Sequence, residues 1–388
     1  MSLLDVMVPV RRDLHREPEL GLDLPRSAQR LMAALADLDV EVSEGETCSS
    51  VTAVLRGGQP GPTVLLRADF DALPVAEKTG LPFAADNGNM HACGHDLHAA
   101  MLVGAAHLLH EQRTSLAGDV VLAFQPGEEG YDGAGRMLAE GVLEASGTRA
   151  CAAYALHVIS SVLPASMLAT RGGPLMAAVD TLDVTVRGMG GHGSAPHRAK
   201  DPVLAAAAMV SAVQLAVTRE FDVFDPVVVT TGSLHAGTAH NVIPEDATFS
   251  STVRCFTEAA HARLQEVLPR VCRGVALAHG VEVDVELQPL FPPTVNDVSE
   301  AQWALTIGRE RLGDERVLEL PNPVTGSEDF SRFLEAVPGA MLFLGATPPG
   351  ADPGTAPYNH APEADFDEAV MTVGAELLAA LATERLRR

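Results

Sequence analysis

Lysine is almost absent from this 388-residue chain. Only Lys78 and Lys200 occur, and arginine supplies the other 25 of the 27 basic residues. Against 51 acidic residues, the net charge is −24. So little positive charge excludes nucleic-acid and anionic-membrane binders, both of which need a basic surface. No unbroken apolar run reaches about 18 residues, the length a spanning helix needs, so no membrane span is expected. Cysteines are few, at positions 48, 93, 151, 255 and 272. They are odd in number and form no CxxC, which excludes a disulfide framework and leaves free thiols as the expectation. The start, Met1-Ser2-Leu3-Leu4-Asp5, carries acid where a signal peptide carries base, and a cytoplasmic protein is expected.

What is present is a large apolar complement. Hydrophobic residues make up 47% and charged residues 20%, enough to bury sizeable cores, and the length fits two domains of ordinary size. The first 175 residues or so read as alternating strands and helices. Val64–Leu66, Val120–Phe124, Ala152–Leu156 and, near the C-terminus, Met341–Leu344 are short apolar runs without alternation. Such runs fit strands covered on both faces, as in a parallel α/β sheet. Between the first two, Cys93 to His110 has helical spacing. Polar residues repeatedly follow the strand ends, the edge of an open α/β sheet where ligands bind.

Residues from about 176 to 291 read differently. Leu182, Val184 and Val186 alternate with polar residues, as do Phe249, Ser251, Val253 and Cys255, and then Val281, Val283 and Val285. Asp201-Pro202 is an N-cap followed by proline at the first helical position. A second helix is expected from about Glu258 to Ala278. The order is βαββαβ, the ferredoxin-like order. The expected architecture is therefore an α/β catalytic domain, residues 1–175 and 292–388, with a mostly parallel central sheet and an inserted domain at 176–291.

Five stretches carry the chemistry. His91-Ala92-Cys93-Gly94-His95-Asp96-Leu97-His98 packs a cysteine, three histidines and an aspartate together. Thiolate and imidazole are the ligands that divalent transition metals select. Spacing alone leaves open which of His91, His95 and His98 ligates, and Cys93 also suits a nucleophile paired with a histidine. Glu128 and Glu129 follow a strand in a Gly-rich turn. Beside a metal-ligand cluster, one can bind metal while the other moves a proton. His157 ends an apolar run, and His360 follows a Pro/Gly-rich loop. In the insert, glycines flank His192, where the backbone can approach a ligand closely.

Together these stretches resemble the dinuclear metallopeptidase family that includes aminoacylases and carboxypeptidases with a lid domain. Within it they are similar to the amidohydrolase branch of N-acyl-amino-acid, hippurate and auxin-conjugate hydrolases. The matching segments are Arg67–Pro74, His91–Asp96, Gln125–Gly130, Ala155–Val158, Gly190–His197, Asn241–Pro244, Gly326–Phe330 and His360, in family order along nearly the whole chain. The resemblance implies two divalent metal ions held by Cys93, His95, Glu129, His157 and His360. It implies Glu128 as general base and Asp71 as a group orienting a ligand, His95 in particular. His192 would stabilise the oxyanion at the partner subunit's site, and Asn241 would lie near the same lid. The insert would be the lid through which a homodimer forms, with a tetramer of dimers also compatible.

Mixed sulfur, nitrogen and oxygen ligands suit Mn²⁺, Zn²⁺, Co²⁺ and Ni²⁺ alike. The implied substrate is a small N-acyl amino acid, and Arg254, on an insert strand, is a candidate for its carboxylate. A dipeptidase or carboxypeptidase on the same fold is the alternative. The Cys-Gly-His-Asp form favours the amidohydrolase branch, because the peptidase branches typically show His-x-Asp. The chain departs from the family pattern at Gly127, at Ala165-Ser166 after Leu163-Pro164, and at Asn359, where the family often has leucine.

Overall fold

The structure, a computed structural model, describes residues 2–388 and divides into two compact units. The first comprises the chain up to Leu175, Val295–Asn322 and Asp329–Arg388; the second is Met176–Thr294 with Pro323–Glu328.

The first unit is built on an eight-stranded mixed sheet. Its middle strands, Ala117–Gln125, Gln59–Asp69, Ala150–Ile159 and Gly339–Gly345, are mutually parallel neighbours in that order. They contain the four unalternating apolar runs; three of the strands are buried almost throughout, and Gln59–Asp69 is buried from Thr63 onward. Val51–Leu55 is fully buried too, yet it joins Ala117–Gln125 antiparallel. Burial on both faces therefore does not by itself fix strand direction. The helices His95–Glu111 and Val370–Leu386 are apolar nearly all round and pack on one another, as such helices must. Ligand-type residues lie at or just past the C-terminal ends of the parallel strands: Gln125 leads into Glu128, and His157 is near the end of Ala150–Ile159, two residues before its last.

The second unit has the βαββαβ order, with helices Pro202–Glu220 and Glu258–His279. Its antiparallel sheet runs Val228–Ala236, Asp246–Cys255, Ala178–Arg187, Glu282–Phe291. Asp201 caps the first helix by accepting from the amides of Val203 and Leu204. Pro202–Glu220 is long and apolar enough in composition to cross a membrane, although no unbroken apolar run reaches that length. In this fold one stripe of it, Ala205, Ala206, Met209, Val213 and Ala216, is buried in the core of the unit.

A buried charge cluster fixes the start of His95–Glu111 to the N-terminal helix Leu3–Arg16. Asp96 accepts from His15 Nδ1 at 2.8 Å and faces Arg11 Nε at 3.0 Å; His15 Nε2 meets Glu77 at 3.1 Å. Burial alone would push the His15 imidazole down. Asp96 and Glu77 outweigh it, and the group is pushed up to about 9. A pKa raised on folding contributes stability fully below the unfolded value near 6.5 and loses it as pH rises through 9. The gap in urea midpoint between wild type and His15→Gln, followed by the fluorescence of the single tryptophan Trp303, should therefore close between pH 6.5 and 9.5. The stability at stake is on the order of 3 kcal/mol. A gap constant over that window would show that His15 is neutral throughout.

Candidate metal centre

Five donor atoms converge from four separate parts of the chain. Cys93 precedes the helix His95–Glu111, at a turn that needs Gly94: φ there is +85°, and a Cβ would stand 2.4 Å from Val158 Cγ2. Cys93 Sγ is 3.4 Å from His157 Nε2 and 3.1 Å from His360 Nε2. Glu129 Oε1 is 3.2 Å from His360 Nε2 and 4.0 Å from His95 Nε2. Cys93 with His95 and His157, and Cys93 with Glu129 and His360, are each grouped tightly enough to hold an ion.

The groups behind the donors set their tautomers. His157 Nδ1 lies 2.8 Å from the Val158 carbonyl, and His95 Nδ1 lies 3.0 Å from the Asp71 carbonyl. Each Nδ1–H donates outward, so each Nε2 lone pair faces the cluster, the arrangement metal-ligating imidazoles need. Asp71 does more than orient His95. Its carboxylate oxygens accept from the amides of Glu128 and Glu129, both at 3.1 Å, and so hold the turn that carries both acids. Glu128 itself is buried.

The other members of the His91–His98 cluster are accounted for differently. His98 donates from Nδ1 to Asp69 at 2.5 Å and accepts at Nε2 from the Val158 amide at 2.8 Å, leaving no nitrogen for a ligand. His91 is buried with neither nitrogen partnered among the described residues, and burial pushes it down to about 3. Asp96 belongs to the Arg11–His15 cluster.

Electrostatically the centre calls for positive charge. The His360 imidazole is pushed up to about 10 by its contacts with Cys93 and Glu129. His95 is held well above the usual range: burial opposes this, and Asp69 and Cys93 overcome it. His157 is held well below it by burial and by the neighbouring His98. The donor set, one sulfur with imidazoles and a carboxylate, is the mixture that divalent transition metals take. Buried His95 Nε2 has no hydrogen-bond partner among the described residues, as a ligand atom would be left without its ion. The residues fit a metal centre.

The remaining candidates lie in the second unit. His192 sits on the short strand Gly191–His192, paired with Val242–Ile243, and Asn241 is beside it, its carbonyl accepting from Gly193 N at 2.8 Å. The Ser194 amide donates to His192 Nδ1 at 3.1 Å, which places the ring proton on Nε2. Arg254 donates to the Thr325 carbonyl at 2.7 Å and ties down the returning segment Pro323–Glu328.

Sequence reasoning passed over the polar layer behind the donors. Arg67, Asp69, Gln125 and Asp329 form one buried network, with Arg67 reaching Asp69, Gln125 and Asp329 at 2.6, 2.8 and 2.9 Å. All four lie within matching segments, but the pairing of Arg67 with Asp329 spans 262 residues and leaves no local mark.

The chain is similar to known hydrolases over nearly its whole length. Thermostable carboxypeptidase 1 of Saccharolobus solfataricus is 36% identical over 385 residues, covering 98% of this chain and 95% of the relative. N-acetylcysteine deacetylase of Bacillus subtilis is 35% identical over 378 residues, covering 97% and 96%. A solved Bacillus subtilis protein, described as a dinuclear metal binding peptidase from family M20, superposes with a TM-score of 0.84 at 32% identity, covering 99% of each chain. Residues 65–384 match peptidase family M20/M25/M40, and the chain belongs to that family of hydrolases.

Proposed function

We propose that the protein hydrolyses the amide bond of N-acyl amino acids, with Cys93, His95, Glu129, His157 and His360 holding two divalent metal ions. The observation that carries this reading is the convergence of those five donor atoms beside a turn that also presents Glu128. When bound, the metals supply the positive charge that lowers the pKa of a water and polarises a carbonyl. Glu128, its backbone fixed by Asp71, takes the proton from the attacking water and returns it to the leaving amine. His192, with its proton on Nε2, donates to the tetrahedral oxyanion of a second copy's site. Residues 176–291 would then form the lid and dimer contact. Leu204 and Leu215, each 60% exposed on the helix Pro202–Glu220, suit such a contact. Asn241 would line the same lid, and Arg254 would face the substrate carboxylate.

Carboxypeptidase action is the second reading, favoured by the name of the thermostable relative. Metal-stripped protein reloaded with Mn²⁺, Zn²⁺, Co²⁺ or Ni²⁺ should cleave at least one of hippurate, N-acetylmethionine and indoleacetylalanine, and should not cleave a dipeptide. Stripping should abolish activity. Cleavage of the dipeptide alone would assign the second reading. Activity that survives chelation and ends with thiol alkylation would replace both with a Cys93 nucleophile.

A further inference from the structure

Asn359 immediately precedes His360, and all of its amide valences are spent inside the first unit. Its Oδ1 accepts from the Ser160 amide at 2.9 Å and the Ser160 hydroxyl at 3.0 Å. Its Nδ2 donates to the Cys93 carbonyl at 3.1 Å and the Val158 carbonyl at 3.0 Å, and lies 3.9 Å from Cys93 Sγ. This pattern of donors and acceptors fixes which way the amide points. Asn359 and Ser160 are both buried. One side chain thus joins the Cys93 turn, the end of the His157 strand and the His360 loop, three of the four parts of the chain that bring donors to the centre.

The backbone next to it shows what has to be held. His360 has φ +73°, the left-handed region that histidine rarely adopts, so its conformation must be imposed by the surroundings. On one side its own amide donates to the Ala92 carbonyl at 2.9 Å. On the other side the anchor is Asn359. A leucine there would fill similar space, take away the side-chain donor to the Cys93 carbonyl and the side-chain acceptor of the Ser160 amide, and leave the Val158 carbonyl with His157 Nδ1 as its side-chain donor.

We propose that Asn359 is a positioning residue that sets the Cys93 Sγ to His360 Nε2 spacing, and through it the metal affinity of the centre. The proposal rests on the metal-centre reading above. Residues that orient metal ligands typically cost 10–100-fold in metal affinity when removed.

The test is competitive chelator titration and the thiolate-to-cobalt charge-transfer band of the Co²⁺-loaded full chain. Wild type should show the band and Cys93→Ser should lose it; a wild type without it would remove the metal-centre reading itself. With the band present, Asn359→Leu should bind Co²⁺ about 10–100-fold more weakly with a shifted or weakened band. Ser160→Ala, which leaves both donations by Nδ2 intact, should stay within about threefold of wild type. If Asn359→Leu does not fold, Asn359→Ser, which keeps a hydroxyl but reaches neither carbonyl, is measured in its place with the same expectation. Wild-type affinity and band in the Asn359 variant would overturn the proposal, as would an equal loss in Ser160→Ala, which would make the network general packing.

Discussion

Replacing Glu128 by glutamine should leave metal content unchanged and lower kcat by about 10²–10⁴-fold, the usual contribution of a positioned general base. The separation of the two effects follows from the proposed roles. Cys93, His95, Glu129, His157 and His360 are the proposed ligands, and all five remain in the variant. Glu128 lies close to His95 and Glu129, so its assignment as base rather than ligand is what the variant tests. The turn survives as well, because Asp71 holds the backbone amide of residue 128, which the substitution keeps. What the glutamine loses is the ability to take a proton. Metal analysis of the purified variant beside its turnover of the best panel substrate decides the matter. Near-normal turnover would remove Glu128 from the proton path. Loss of metal together with activity would make it a ligand.

Part of the centre carries a local signal: Cys93 with its neighbouring histidines, and the Glu128–Glu129 pair after a strand that reads as buried from its own composition. His157 and His360 stood out only through the family resemblance, and the structure brings them within 3.4 and 3.1 Å of Cys93 Sγ. The insert was legible because alternation at Leu182–Val186 and Phe249–Cys255 reports one covered face in each strand. The rest depends on pairs far apart in sequence. The choice of His95 over His98 turns on the Val158 amide that occupies His98 Nε2, 60 residues away. The antiparallel course of Val51–Leu55 is set by its neighbour and not by its fully apolar sequence. Asn359 stood out only as a departure, and its hydrogen bonds to Cys93 and Ser160 cross 266 and 199 residues.

The largest stability effect should come from Arg67, one layer behind the centre. Asp69 and Asp329 are both fully buried, and Arg67 bridges them while also donating to Gln125. Burial raises the Asp69 carboxyl, but Arg67, His95 and His98 together hold it well below the usual range. At Asp329 burial prevails despite Arg67, and the carboxyl is pushed up to about 6. Arg67→Met would keep much of the side-chain volume and strip the countercharge from two buried acids at once. Breaking a buried ion pair on one side costs about 3–5 kcal/mol, because the partner's charge is left without compensation. The urea midpoint read from Trp303, which lies in the same unit, should fall accordingly near pH 7. The dependence on pH has a definite sign. A carboxyl depressed on folding contributes stability above its unfolded value near 4 and loses it as pH falls through the folded value. The orphaned acids of the variant can also escape their cost by taking up protons. The difference between wild type and Arg67→Met should therefore narrow from pH 7 toward pH 4. A deficit below about 1 kcal/mol at pH 7, the range of an exposed pair, would mean that the two acids are not relying on Arg67 for their charge.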